Sequence, residues 1–201
     1  MIPLVLASAS PRRKFLLESL GANVEVRPTD ADEISKGIPE EVVLTNAILK
    51  RNLAIEQSAQ PEVIITADTI VVLDNAILGK PRDLTEAKTM LESLSGKTHQ
   101  VITGVAVANM FTHEISQGLE TTEVTFCPLT PEQIDQFIFI VNPLDRAGGY
   151  TIDGPGTLIV EGYSGCYQNV LGLPMVRLNR LLKEVSIQLE DYIQADGARF
   201  L

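Results

Sequence analysis

The chain has no tryptophan, only two histidines and only two cysteines among its 201 residues. Cys127 and Cys166 lack CxxC or metal-ligand spacing, which excludes a disulfide framework and points to free thiols in a reducing compartment. His99 and His113 are not spaced as a zinc pair, so each is expected as a structural or surface residue. Positive charge is also scarce, with 16 Lys and Arg against 26 Asp and Glu and a net charge of −10. That balance argues against a nucleic-acid-binding role, which needs a clustered basic footprint. It leaves room for an anionic small molecule, because a few cations focused in one cleft can hold a nucleotide on an acidic protein. No apolar run approaches the ~20 residues of a membrane span, and Met1-Ile-Pro lacks the basic start of a signal peptide. The expectation is a cytoplasmic protein without a membrane partner.

An apolar content of 45% with 21% charged residues is ordinary for a globular chain. The length suits one domain over residues 1–201, with two lobes around one cleft. Strand-like runs alternate with capped helices, which places the chain in the α/β class. Residues 186–201, half apolar, are expected to form a C-terminal extension that packs as a further helix.

The most informative stretch is the first. Ile2 to Ala7 reads as a buried strand, and Ser10 and Pro11 read as the N-cap and first position of a helix that ends at Gly21. This junction puts the guanidinium groups of Arg12 and Arg13, the hydroxyls of Ser8 and Ser10, and free backbone N–H groups around one helix start. Those are the components of a phosphate site. The alternative is a capped helix with solvated arginines. Cations at a helix N-terminus are mildly unfavourable, however, which argues that they serve something anionic.

Further along, Asn23–Arg27 reads as a short strand, Asp30–Glu33 as an acidic loop, and Pro39 to Gln57 as a helix bearing Lys50 and Arg51. The β-branched run Val63–Ala67 reads as a central strand ending in Asp68-Thr69, where α/β proteins place ligands, although a turn aspartate would also suit that position. The strand resumes through Ile70–Leu73, turns at Asp74-Asn75 and returns to Gly79-Lys80-Pro81, which brings Lys80 towards the level of Asp68. Helices capped by Asp83 and Thr130 follow, with strands predicted at Val101–Ala108, Glu114–Gly118, Glu123–Phe126 and Thr157–Glu161. Asn142–Gly156 is a glycine-rich polar loop carrying Asp145, Arg146, Tyr150 and Asp153, and Leu173-Pro174 opens an amphipathic helix.

Six short strings stand in order: Leu6-Ala-Ser-Ala-Ser-Pro-Arg-Arg13, Ala67-Asp-Thr-Ile-Val71, Gly79-Lys-Pro81, Thr103-Gly-Val-Ala106, Asp145-Arg-Ala-Gly-Gly-Tyr150 and Gly172-Leu-Pro174. Together they resemble the Maf family over about residues 4–182. The resemblance implies a two-lobed, ITPase-like α/β fold, with a mixed sheet and flanking helices around a deep nucleotide cleft. It implies hydrolysis of nucleoside triphosphates to the monophosphate and pyrophosphate with a divalent cation, Mg²⁺ or Mn²⁺. Carried onto this chain, Asp68 matches the proton acceptor and Lys50 and Lys80 the catalytic lysines. Ser8, Arg12 and Arg13 match phosphate-binding positions, and Glu33 a recurrent acidic position that would join Asp68 at the metal. Arg13 and Thr69 match the branch acting on dTTP and UTP, whereas Asp153 stands where that branch usually has Gln. A homodimer is among the assemblies the resemblance allows. A non-catalytic nucleotide-binding regulator linked to septum formation is the alternative, disfavoured because the base and both lysines are retained. A nucleotidyltransferase ranks last, since its usual glycine-rich Thr-Arg string is missing.

Overall fold

The computed structural model describes residues 2–198. In chain order the elements are β1 (Leu4–Leu6), α1 (Pro11–Ser19), β2 (Leu20–Ala22), β3 (Glu25–Val26), α2 (Pro39–Gln57), β4 (Val63–Leu73), β5 (Ala76–Leu78) and α3 (Leu84–Leu94). Then come β6 (Thr98–Asn109), β7 (Glu114–Phe126), α4 (Pro131–Val141), β8 (Val160–Ser164), α5 (Tyr167–Val170), α6 (Met175–Glu184) and β9 (Ile193–Ala198). Seven strands form a mixed sheet in the order β3-β1-β4-β6-β7-β8, with β5 beside β4. The class expected from the sequence is therefore the one observed.

The sheet has a break that positions everything else. Along one edge of β4, residues Val63, Ile64 and Ile65 pair in parallel with β1, while Val71, Val72 and Leu73 pair antiparallel with β5. Residues 66–70 have neither partner on that edge. Their other edge is fully paired with β6, from Thr66 opposite Ala106 to Ile70 opposite Ile102. Asp68 thus lies in the middle of an 11-residue strand, not at the strand's end as the sequence suggested. It still stands just past the carboxyl end of β1, where parallel pairing stops, and this is the kind of switch point at which α/β sheets bind ligands.

Side chains alternate across a strand, so odd and even positions of β4 face opposite sides. Val63, Ile65, Ala67, Val71 and Leu73 join two large apolar clusters, one with α1 and α6 and one with α3 and α4. Ile64, Ile70 and Val72 face the other side, where the clusters are small and α2 is the covering helix. Gly104 permits that cover: a Cβ there would stand 2.4 Å from the Val43 carbonyl oxygen, so only glycine lets α2 approach the sheet this closely.

The caps match their residues. Ser10, Asp83 and Thr130 each accept the backbone N–H three residues on, and Thr130 with Gln133 completes a reciprocal capping box. At Asp83 the reciprocal half is replaced, because the Glu86 carboxylate takes the backbone N–H of Arg82 instead. His99 is a core residue, stacked edge-to-face on Phe126 and Tyr150, whereas His113 is exposed in the β6–β7 turn.

Three expectations are corrected. Glu114–Gly118 and Glu123–Phe126 are one continuous strand, because its whole length pairs with β6. The strand expected from Thr157 begins at Val160, since Gly154–Leu158 winds into a 3-10 turn. The tail forms a 3-10 turn at Leu189–Tyr192 and then β9, pairing with β2 at Leu20 and Ala22 rather than forming a helix. Gly21, with φ of +82° and only 2.5 Å for a Cβ before the Gln194 carbonyl oxygen, both ends α1 and admits β9. The last residues of the tail, 199–201, lie outside the described part.

Candidate active site

A cleft of about 600 Å³ opens at the unpaired edge of β4. It is lined by Ser8, Arg12 and Arg13 from the β1–α1 junction, and by Glu33 from the β3–α2 connection. Asn46 and Lys50 of α2, Asp68 and Thr69 of β4, and Lys80 after β5 complete that side. The segment after α4 adds Asp145, Arg146, Tyr150 and Thr151. Of the nine residues singled out in the sequence, eight therefore face one cavity. Asp153 does not line it; its carboxylate accepts a hydrogen bond from the Thr151 hydroxyl.

Alternation on β4 divides the site in two. Asp68, an even position, faces α2. Its Oδ1 receives Lys50 Nζ at 2.8 Å and its Oδ2 receives the Asn46 amide at 2.9 Å. Lys50 Nζ also lies 2.8 Å from Glu33 Oε1, so one ammonium stands between two carboxylates. Asp68 is buried and Lys50 nearly so, while the Glu33 side chain is half exposed. Lys50 and Asn46 are four residues apart on α2, one turn, which is why both reach the same carboxylate.

Thr69, an odd position, faces the opposite side. Its hydroxyl receives Arg13 Nη2 at 3.0 Å and lies 3.0 Å from the hydroxyl of Thr103, its cross-strand neighbour. Arg13 also donates from Nη1 to Ser8 Oγ at 3.1 Å and from Nε to the Gly172 carbonyl at 2.8 Å. Three of its five N–H groups are thus spent inside the protein. Burial pushes its guanidinium below its ordinary pKa, against the attraction of Asp68, while neighbouring Arg12 adds to the fall. Arg13 braces the β1–α1 junction to β4 and to the α5–α6 corner, and offers a ligand what remains. The Arg13 backbone N–H, expected to be free, is taken by Ser10 Oγ at 3.5 Å.

Arg12 reaches across the cleft. It donates to Asp145 Oδ2 at 2.8 Å and to the Asp145 carbonyl at 3.2 Å, and Arg146 Nε lies 3.4 Å from the same carboxylate. Burial alone would raise the Asp145 pKa, but the hydrogen bond and charge of Arg12, with Arg146, hold it below its ordinary value. Lys80 sits exposed on the cleft wall and makes no ion pair among the described residues. The hairpin brings it to the cavity as expected, but the lysine bonded to Asp68 is Lys50.

Sequence reasoning missed Asn46, Thr103 and the Gly172 carbonyl as parts of the site, and placed Asp145 there only as a loop residue. One signal was available for Asn46: an amide one helical turn before a candidate lysine, in an otherwise apolar stripe.

Among the described residues no group of three or more His, Cys, Asp or Glu side chains comes together around a possible ion. The donors facing the cleft are the two carboxylates Asp68 and Glu33. That set suits a hard cation such as Mg²⁺, which takes one or two protein carboxylates and completes its shell with phosphates and water. It does not suit a site closed by protein alone.

The model of the family described as Maf-like protein matches residues 3–185. A protein of Bacillus cytotoxicus named dTTP/UTP pyrophosphatase is 44% identical over 182 residues, covering 90% of this chain and 94% of that one. A Bacillus anthracis protein of the same name is 41% identical over 191 residues, covering 94% and 98%. Among solved structures, the Staphylococcus aureus Ham1 protein aligns over 62% of this chain and 72% of that one, with a TM-score of 0.46 and 14% identity, too distant to bear on the site.

Proposed function

This chain belongs to the Maf family, and from that premise we propose that it hydrolyses nucleoside triphosphates to the monophosphate and pyrophosphate, with dTTP and UTP as preferred substrates. The observation that carries the reading is the convergence on one cleft of a helix-start cluster of arginines with a carboxylate buried at an unpaired strand edge. The relatives' names supply the substrate pair.

In this reading the triphosphate enters along Arg12, Arg13 and Lys80. Asp68 accepts a proton from a water as the water oxygen bonds to the α-phosphorus. The bond from that phosphorus to the bridging oxygen breaks, and its electron pair leaves with pyrophosphate. Two stages need help: aiming the water, and holding charge as it moves onto the departing group. Asp68 provides the first, fixed from both oxygens. Arg12 and Lys80 provide the second as preorganised donors. Lys50, between Asp68 and Glu33, keeps two carboxylates tolerable next to a polyanion. A divalent cation held by Asp68 and Glu33 together with phosphate oxygens would neutralise charge on the substrate when bound.

The test is product analysis. Purified protein with Mg²⁺ or Mn²⁺ and a panel of nucleoside triphosphates should release pyrophosphate, fastest from dTTP and UTP, and none in excess chelator. Orthophosphate as the sole product would overturn the reaction, and nucleotide binding without turnover would favour the regulator.

A further inference from the structure

Asn46 is a costly residue for its place. It is only 2% exposed, on a helix stripe otherwise occupied near it by Val42, Val43 and Ala47. Asparagine is a weak helix former, and a buried amide is unfavourable unless its donors and acceptor are matched. Here all are. One N–H donates to Asp68 Oδ2 at 2.9 Å and the other to the Ile34 carbonyl at 2.9 Å, while Oδ1 accepts the Ile34 N–H at 2.8 Å. The amide cannot be turned over, since its oxygen would then face a carboxylate.

The consequence is a double constraint. With Lys50 on Oδ1 and Asn46 on Oδ2, the Asp68 carboxylate is held at both oxygens by one turn of α2 and is not free to rotate. Through Ile34, the same amide fastens the irregular segment 27–38 to that carboxylate, and Glu33 beside it reaches Lys50. We infer that Asn46 is a positioning residue: it sets the plane of Asp68 and registers the Glu33 segment against it. The inference rests on Asp68 being the proton acceptor.

Two variants separate the halves of the clamp. Asn46→Leu keeps roughly the volume and removes all three hydrogen bonds. Asn46→Asp keeps an acceptor for the Ile34 N–H but turns the Asp68 donor into a second carboxylate. With dTTP as substrate, Asn46→Leu should lower kcat ~10- to 100-fold with KM within ~3-fold, because it acts on the reacting group and not on the phosphate contacts. Amide hydrogen exchange at Ile34 should quicken in Asn46→Leu and stay slow in Asn46→Asp, whose kcat should fall at least as far. In the Asp68→Asn background, adding Asn46→Leu should cost less than ~3-fold more, as expected when one residue works through the other.

A kcat within ~3-fold of wild type in Asn46→Leu, beside a crippled Asp68→Asn, overturns the inference and leaves the function intact. So does full additivity in the double variant. If Asn46→Leu fails to melt cooperatively, Asn46→Asp decides alone, and near-normal kcat there overturns the proposal. Near-normal turnover in Asp68→Asn overturns the base assignment itself, which the single Asn46 variants do not test.

Discussion

The two faces of β4 are built on different principles. On the odd face Val63, Ile65, Ala67, Val71 and Leu73 disappear into apolar clusters shared with four helices. On the even face α2 lies over the strand, and its buried stripe includes Asn46, Lys50 and Arg51. Arg51 is 4% exposed, burial pushes its guanidinium below its ordinary pKa, and its partners are the neutral amides of Asn52 and Gln117. A helix that buries two cations and an amide is a poor source of stability. The odd face can carry the fold while the even face spends its area on holding Asp68. Thr69 is the exception, an odd residue lying between Ala67 of one cluster and Val71 of the other, whose hydroxyl meets Arg13 and Thr103.

The division is broken most forcefully at Asp68. Asp68→Asn should lower pyrophosphate release by ~10²- to 10⁴-fold, the range for losing general acid–base assistance. It should lower the melting midpoint as well, because the new amide N–H must face Lys50 or the Asn46 amide and the buried ammonium loses a countercharge. Triphosphate binding should persist, because repulsion of the polyanion falls. A folded variant that turns over normally would refute the claim that the even face serves chemistry.

The opposite substitution probes the odd face. Leu182 of α6 is fully buried in the cluster with α1 and β4. Leu182→Ala should cost ~2–5 kcal/mol of unfolding free energy, through lost burial plus the cavity left behind. At temperatures where the variant is folded, kcat should equal that of wild type. A large drop in kcat without lost stability would mean that the faces are not separate.

His99 gives the odd face a pH signature. Burial lowers its pKa to about 4 from an ordinary 6.5, and its Nε2 lies 2.7 Å from the Tyr150 hydroxyl. The unfolded chain therefore takes up this proton first as pH falls. Stability from this residue is complete above ~6.5, is lost as pH falls towards ~4, and levels off below, a span on the order of 3 kcal/mol. Denaturant titrations between pH 7 and 4.5 should show the decline, and His99→Gln should flatten it. Because Tyr150 lines the cleft, a matching loss of dTTP affinity over this window would show that the packing face also reports to the site.

How much of this was legible in the sequence depends on the range of the contacts. α1 and its Ser10 cap, α2 with its boundaries, and the Thr130 capping box are written within a few residues, because caps and helix periods are local. Ser8, Arg12, Arg13, Asp68 and Lys80 were legible as a set through ordered short motifs, and Lys50, which lies in none of those strings, only through the family resemblance. What was not legible is pairing between distant segments. Nothing near Asp68 says that β1 and β5 leave five residues of β4 unpaired, and nothing in the tail says that Ile193–Ala198 will find β2. Asn46 and Asp145 enter the site through partners 22 and 133 residues away.

The smallest expected effect concerns the base. By the family resemblance Asp153 replaces a glutamine, whose amide would offer thymine or uracil both a donor and an acceptor, whereas a carboxylate offers acceptors alone. Its side chain, moreover, is occupied by the Thr151 hydroxyl and stays off the cleft wall, while Thr151 itself lines the cleft. The wild-type protein should therefore discriminate loosely, with measurable turnover of CTP or a purine triphosphate beside dTTP and UTP. Glutamine is one methylene longer and carries the missing donor. Asp153→Gln should sharpen the preference for dTTP and UTP by ~1 kcal/mol, about fivefold in relative kcat/KM, since a single solvent-accessible hydrogen bond is all that can be gained. Competition assays with paired triphosphates resolve a change of that size. A selectivity ratio that does not move would place base choice elsewhere in the cleft, with Thr69 and Thr151 as the next residues to vary.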